Sequence, residues 1–453
     1  MLRNLSLHEL IEVTQGKFLT QDVSAECSHI STDTRTLSEG SLYIPLVGDR
    51  FDGHAFAPDA EEAGSVAMLA ERQVSASIPV ICVDSTLKAL ADIAAWHRDL
   101  FTGPVVAVTG SAGKTTVKQL MGSVLSQKFN TLITKGNLNN HIGAPLTLLS
   151  LEPEHEAAMI ELGASGVGEI EYTAKLVKPK VGIITNVVPV HLEGFGSVDN
   201  IALTKGELID AIVNGGTAIL NADDKYFSQW VKRAAHLNVM SFGLTDSADV
   251  RAENINATIN GCTFDLLVDG QRMNVSIPLP GKHNVCNALA VVAAAKAIGL
   301  TIEETLAGLN AIEPVAGRMQ ELEGEKGQYL INDSYNANPE SFRAAIDVLT
   351  LADCTWVVMG DMGELGDEAV ELHSSIGKYA REKNINHFVA TGPLSRAACI
   401  AYGDDAHWFR TQDELIEFLK YETGSRDTLL IKGSRSAAMD KVVAALNNKK
   451  EEC

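Results

Sequence analysis

Val105-Val106-Ala107-Val108-Thr109-Gly110-Ser111-Ala112-Gly113-Lys114-Thr115-Thr116 carries the densest chemistry in the chain. An apolar run leads into a glycine-punctuated turn and then into apolar residues at helical spacing (Val117, Leu120, Met121, Val124, Leu125). Backbone N–H groups freed by Gly110 and Gly113 can close around phosphate oxygens, and the helix start adds positive potential. Lys114 would neutralise the β- and γ-phosphates, and Thr115 would offer a hydroxyl to Mg²⁺. The strict P-loop has a further Gly where Val108 stands, so the match is to the shorter G-x-x-G-K-T. A glycine-rich turn capping a helix is the plainer alternative. A phosphate loop alone leaves kinase, NTPase and ligase open.

Other candidates follow predicted strands. Glu161 and His191 fall at or beyond the carboxyl ends of two strands, the ligand edge of a doubly wound sheet. There they could hold Mg²⁺ with Thr115, or serve as a helix cap and a surface histidine. Lys205 stands fourteen residues after His191, and its ordinary reading is a solvated lysine. Asn284 and Asn287 share one helix face, as caps or ligand contacts. Asp333-Ser334-Tyr335-Asn336-Ala337-Asn338-Pro339 joins a strand to a helix and is unusually rich in polar groups.

These residues need elements to position them. The 453 residues suggest three domains. Residues 1–84 read as a small mixed α/β domain with a leading helix (Leu7, Leu10, Ile11) and short strands at Ser41–Leu46 and Val80–Val83. Residues 85–313 read as a central P-loop α/β domain. Its strands are expected at 104–109, 158–162, 181–186, 217–221 and 239–242, with an antiparallel edge over 263–277 and helices at 283–298 and 302–310. Residues 314–453 read as a Rossmann-like α/β domain with strands at 329–332, 355–359, 387–391 and 428–431. The fold class is α/β throughout, with ligands expected in clefts between domains.

Composition excludes several classes. Lys plus Arg is 37 and Asp plus Glu 58, a net charge of −21. That balance argues against nucleic-acid backbones and anionic membranes as partners. No apolar run reaches membrane-spanning length, and Glu9 and Glu12 interrupt any secretory signal. Seven scattered cysteines without a C-x-x-C pair imply reduced thiols in a cytoplasm, and no structural zinc site.

Taken together, the motifs resemble the Mur ligase family of peptidoglycan synthesis, across essentially the whole chain. The resemblance rests on the phosphate loop; Gly136-Asn137-Leu138-Asn139-Asn140; Glu161-Leu162-Gly163-Ala164; His191-Leu192-Glu193-Gly194-Phe195; His283-Asn284 with Asn287; Gly317-Arg318; and the run from Asp333 to Pro339. Lys432-Gly433-Ser434-Arg435-Ser436 resembles the branch that adds D-alanyl-D-alanine in particular. The branch that adds a diamino acid carries an Asp-Asn-Pro-type motif that is absent here, and the N-terminal domain argues against folylpolyglutamate synthases.

The resemblance implies roles. Gly110, Ser111, Ala112, Gly113, Lys114, Thr115 and Thr116 would hold ATP phosphates, with Asn284, Asn287, Arg318 and Asp333 gripping the nucleotide across a cleft. Thr115, Glu161 and His191 would serve two Mg²⁺ ions, together with Lys205 once carbamylated by CO₂. Lys114, Glu161, His191 and Lys205 are the expected catalytic set. Thr32, Asp33, Thr34, Arg35, Gly48, Asp52 and His54 would bind the UDP-sugar end. Asn137, Asn139, Tyr335, Asn336, Lys432, Ser434 and Arg435 would contact the remaining substrate. Val47 departs from relatives that often carry Lys before this Gly. The implied partners are UDP-MurNAc-tripeptide and D-Ala-D-Ala, acted on by a cytoplasmic monomer with no nucleic acid and no membrane insertion. The reactions still open besides ligation are a kinase or NTPase, and a nucleotide-gated binding protein.

Overall fold

In a computed structural model the described residues are 1–20, 23–48, 50–189, 192–313 and 315–448, and the statements below concern those. His191 lies outside them.

The chain builds three main sheets. The first contains Lys17–Phe18 (β1), His29–Ser31 (β2), Ser41–Tyr43 (β3), Ala67–Ala70 (β4) and Val80–Cys82 (β5), in the order β1-β5-β4-β3-β2. All neighbours are parallel except β1 with β5. The leading helix Leu7–Thr14 starts with a reciprocal cap, in which Ser6 Oγ accepts the Glu9 N–H and the Glu9 carboxylate accepts the Ser6 N–H.

The second sheet has nine strands: Val105–Thr109 (β6), Thr131–Ile133 (β7), Ala157–Glu161 (β8), Val181–Ile184 (β9), Thr217–Asn221 (β10), Asn238–Gly243 (β11), Val250–Thr258 (β12), Gly261–Val268 (β13) and Gln271–Ile277 (β14). Their order is β7-β8-β6-β9-β10-β11-β12-β13-β14. Pairing is parallel as far as β12 and antiparallel beyond it. Strands β6, β8 and β9 are buried at every position, as expected where helices cover both faces of a parallel sheet. The chain runs outward from β6 to β7, returns to β8, and then crosses to β9 on the other side. That reversal puts a topological switch point at the carboxyl end of β6, where open α/β sheets bind ligands.

The third sheet contains Gln320–Glu323 (β15), Tyr329–Asp333 (β16), Cys354–Met359 (β17), His387–Thr391 (β18), Ala406–Phe409 (β19) and Asp427–Lys432 (β20), in the order β15-β16-β20-β17-β18-β19. Only β15 is antiparallel to its neighbour. Register pairs Asp333 with Lys432, so both side chains arise at the carboxyl edge.

The cores differ in how they are shared. One cluster of buried apolar side chains runs from Leu5, Leu42 and Ile81 through Ile93 to Val105 and Ile160, so the first two units share a core. Helix Thr86–Asp99 supplies Ala89, Leu90, Ile93 and Ala94 to it. The third sheet has clusters of its own on each face. It meets the central unit through smaller contacts. Ile259 packs on its core, and the Tyr329 hydroxyl donates to Asn260 Oδ1 at 3.2 Å. Six cysteines are free thiols among the described residues.

Candidate active site

The phosphate loop joins β6 to helix Lys114–Leu125, whose N-cap is Gly113. Gly113 has φ +82°, and a Cβ there would lie 2.5 Å from Asn287 Oδ1. Gly110, at φ +150°, would put a Cβ 1.9 Å from Thr185 Oγ1. Both positions therefore exclude side chains on space as well as on conformation. The end of β9 latches the loop. Ser111 N–H donates to the Asn186 carbonyl at 2.9 Å, and Ala112 N–H to Asn186 Oδ1 at 2.9 Å. The Thr185 hydroxyl donates to the Ala112 carbonyl at 2.6 Å. Two loop N–H groups are thus committed to Asn186. The first-turn N–H groups of residues 114–116 have no intrahelical acceptor, and they form the anion-facing end.

Lys114 Nζ donates to its own loop, to Gly110 O at 2.7 Å and Ser111 O at 3.3 Å. Burial holds its pKa below the usual lysine value; Glu161 opposes that shift and Arg318 adds to it. Arg318, from the third unit, therefore acts electrostatically on the phosphate loop. Its guanidinium lies 4.2 Å from the centre of the Tyr335 ring.

Glu161 ends β8 and is 2% exposed. Its Oε1 accepts from the Thr115 hydroxyl at 3.2 Å and from Asn139 Nδ2 at 2.9 Å. Its Oε2 receives no hydrogen bond. A buried carboxylate oxygen with an unfilled lone pair, beside a helix-start hydroxyl, is an oxygen donor set that suits Mg²⁺. Among the described residues no three His, Cys, Asp or Glu side chains gather into a metal cluster.

Lys205 is 1% exposed on helix Val198–Asp210. Its Nζ lies 5.2 Å from the centre of the Phe195 ring, and no ion pair is seen for it among the described residues. Burial first, and the Lys114 ammonium second, push its pKa down to about 7, against smaller upward effects of Glu169 and Glu207. Asn284 and Asn287 are buried on helix Lys282–Ala297. Asn287 Nδ2 donates to Asn284 Oδ1 at 3.1 Å, and Asn284 Nδ2 donates to the Pro280 carbonyl at 2.8 Å. Asn287 thus abuts the loop at Gly113.

The remaining predicted residues divide. Thr32 and Asp33 line a cleft of about 970 Å³ between the first two units, whose other wall includes Gln119, Lys135 and Gly136. Thr34, Arg35, Gly48, Asp52 and His54 do not line it. Arg35 pairs with Asp33 at 2.6 Å on the surface. His54 is buried with both ring nitrogens engaged. Nε2 accepts the Glu71 N–H at 3.0 Å, so Nδ1–H donates to Asp52 at 2.6 Å, and Arg72 closes the cluster on Asp52. Asn137 is exposed.

On the third unit, Lys432 is buried. It donates to Asp333 Oδ2 at 2.6 Å and to the Asn336 carbonyl at 2.9 Å. The Ser434 hydroxyl donates to the Asp361 carbonyl at 2.7 Å, and the exposed Arg435 sits 3.6 Å from Asp440. Sequence reading did not single out Lys118, Thr185 or Asn186. Lys118 had one available signal, its position one helical turn after Lys114.

The middle domain of Mur ligases matches residues 108–295, their glutamate ligase domain residues 317–435, and their catalytic domain residues 26–98. Over 98% of both chains, the sequence is 39% identical to UDP-N-acetylmuramoyl-tripeptide–D-alanyl-D-alanine ligase of Escherichia coli (strain K12). The chain belongs to the Mur ligase family. A crystal structure of MurF from Acinetobacter baumannii superposes on this Mur ligase with a TM-score of 0.93 at 36% identity, covering 99% of this chain and 100% of that one. MurF of Thermotoga maritima in complex with ADP superposes with a TM-score of 0.82 at 25% identity, over 92% and 96%. No helix among the described residues is long and apolar enough to cross a membrane.

Proposed function

We propose that this Mur ligase joins D-alanyl-D-alanine to UDP-MurNAc-tripeptide at the expense of ATP, giving UDP-MurNAc-pentapeptide, ADP and phosphate. One observation carries the reading. The 970 Å³ cleft reaches Lys135 and Gly136, and Gly136 adjoins the cluster of Thr115, Glu161 and Lys114 through Lys118. A long substrate lying in that cleft has an inner end that meets the phosphate loop.

The reaction begins with two anions that repel, a peptide carboxylate and the γ-phosphate. Lys114 exchanges its loop carbonyls for phosphate oxygens, and the helix start adds its dipole. Mg²⁺, when bound, supplies charge neutralisation shared between phosphate oxygens. Thr115 and Glu161 would hold one ion, with His191 and a carbamylated Lys205 serving a second. The carboxylate attacks the γ-phosphorus, ADP leaves, and an acyl phosphate remains. The amine of D-Ala-D-Ala then adds to the carbonyl carbon, and phosphate departs as the amide forms. Residues 314–453 cover the intermediate against water, present Arg318 and Asp333 to the nucleotide, and bind the dipeptide near Tyr335, Asn336, Ser434 and Arg435. Residues 1–84 take the UDP-sugar and 85–313 the ATP, in a cytoplasmic monomer.

Phosphate release with Mg-ATP and both substrates, each omitted in turn, tests the reading. Release that needs every component, with a pentapeptide product by mass, is expected. Release without the dipeptide would instead identify a kinase or NTPase, and ATP binding without release a binding protein.

A further inference from the structure

Glu161 already has a cation beside it. Lys118 Nζ lies 3.3 Å from Oε2, and the two side chains are 1% and 3% exposed. The ammonium gives its hydrogen bond elsewhere, to the Gly136 carbonyl at 3.2 Å. Oε2 is therefore neutralised in charge and yet left with an unfilled lone pair. An ion pair built for stability alone would spend its donors on the carboxylate. Here the counter-charge and the hydrogen bond are separated.

We propose that Lys118 is the standing counter-ion of Glu161 in the nucleotide-free enzyme, and that it keeps this carboxylate from collecting a divalent cation before phosphates are in place. The inference rests on Glu161 being the metal-facing carboxylate. Two ammonium groups, Lys114 and Lys118, act on this single carboxylate. A free divalent cation would enter a locality that is already positive. Nucleotide phosphates reverse that balance by engaging Lys114 and supplying negative oxygens of their own. The metal then enters with the nucleotide and finds the open lone pair of Oε2. Lys118 need not leave, because Gly136 anchors it. It is a positioning residue, acting on the metal through Glu161.

Mn²⁺ is the probe, followed by electron paramagnetic resonance on the full chain with and without ADP. Wild type is expected to leave sub-millimolar Mn²⁺ free until ADP is added. Lys118→Met is expected to bind Mn²⁺ without nucleotide at least about tenfold more tightly than wild type. Mn²⁺ should also raise its melting temperature more than that of wild type, a response that a purely structural lysine would not produce. Lys118→Met/Glu161→Gln should lose the gain. Nucleotide-free wild type that binds Mn²⁺ as tightly as its ADP complex would overturn the proposal, and that measurement needs no variant to fold. A folded Lys118→Met with wild-type affinity would overturn it too. The parent reading fails separately, if Glu161→Gln leaves Mn²⁺ binding to the ADP complex unchanged.

Discussion

Lys205 offers the sharpest test of the proposed chemistry. Its pKa of about 7, set mainly by burial and then by Lys114, leaves about nine in ten of its amines neutral at pH 8. An ordinary lysine at 10.5 would be neutral in about three per thousand at that pH. The site thus raises the nucleophilic fraction roughly 300-fold, and CO₂ reacts only with the neutral amine. The direction with pH follows: lowering pH through 7 protonates the amine and removes the carbamate. Enzyme equilibrated with ¹³C-bicarbonate at pH 8 should show a carbamate carbon resonance that fades toward pH 6 and is missing in Lys205→Ala. That variant should lose about 10- to 100-fold in turnover, as expected for a residue that orients a metal site, and short carboxylic acids should restore part of it. A wild-type enzyme with no carbamate signal and a fully active Lys205→Ala would refute the reasoning, since burial of an uncompensated amine would then have no chemical consequence.

Three further outcomes are expected. Lys114→Ala should abolish phosphate release while circular dichroism and melting stay near wild type, because among the described residues its ammonium bonds to its own loop alone; a folded variant with wild-type turnover removes the phosphate-loop assignment. Gly113→Ala should weaken ADP binding at least about tenfold by calorimetry, since the left-handed backbone alone costs about 1–2 kcal/mol and the new methyl meets Asn287; unchanged affinity would mean the loop is softer than its packing implies. His97 is buried and neutral, accepting the Leu2 N–H at 2.7 Å and donating to the Leu148 carbonyl at 3.0 Å, and burial lowers its pKa to about 4. Its unfolded value of 6.5 is higher, so its contribution is complete above pH 6.5 and is lost as pH falls toward 4. At about 1.36 kcal/mol per pH unit, roughly 2 kcal/mol is gone by pH 5. Urea unfolding of wild type against His97→Phe at pH 7.5 and 5 isolates that share, and an equal loss in both would contradict it.

The parts of the fold that were legible in sequence are those where burial leaves a pattern. Strands β6, β8, β9 and β10 read as short apolar runs because helices cover both faces. The phosphate loop announced itself through two glycines whose Cβ positions are occupied by Thr185 and Asn287. Strand β7 has only three residues, and the helix Thr86–Asp99 has an apolar face that points into a core shared between units, so neither declares itself locally. Lys118, with only its place one helical turn after Lys114 to mark it, is hard to pick out for a different reason. One lysine on a helix looks like any other until the fold delivers a carboxylate and a carbonyl to it.

The same point separates the polar residues to which the resemblance gives roles at the UDP-sugar, the nucleotide and the remaining substrate. Asp52 with His54 and Arg72, and Asp333 with Lys432, are closed networks in which each charge has a partner at hydrogen-bond distance. The Lys432 ammonium is 2% exposed and has the Asp333 carboxylate beside it, as a buried charge must be paired. Lys205 and Glu161 Oε2 are less complete. One is a buried amine with no ion-pair partner among the described residues, the other a buried oxygen with no hydrogen bond. Stability gives no reason to retain Lys205, because an apolar residue in the same place would cost less, whereas Glu161 offsets the buried Lys118 ammonium and still keeps one oxygen free of hydrogen bonds. Groups that folding leaves incomplete, a short reach from a phosphate loop, are where the missing partners must come from substrate, CO₂ or a cation.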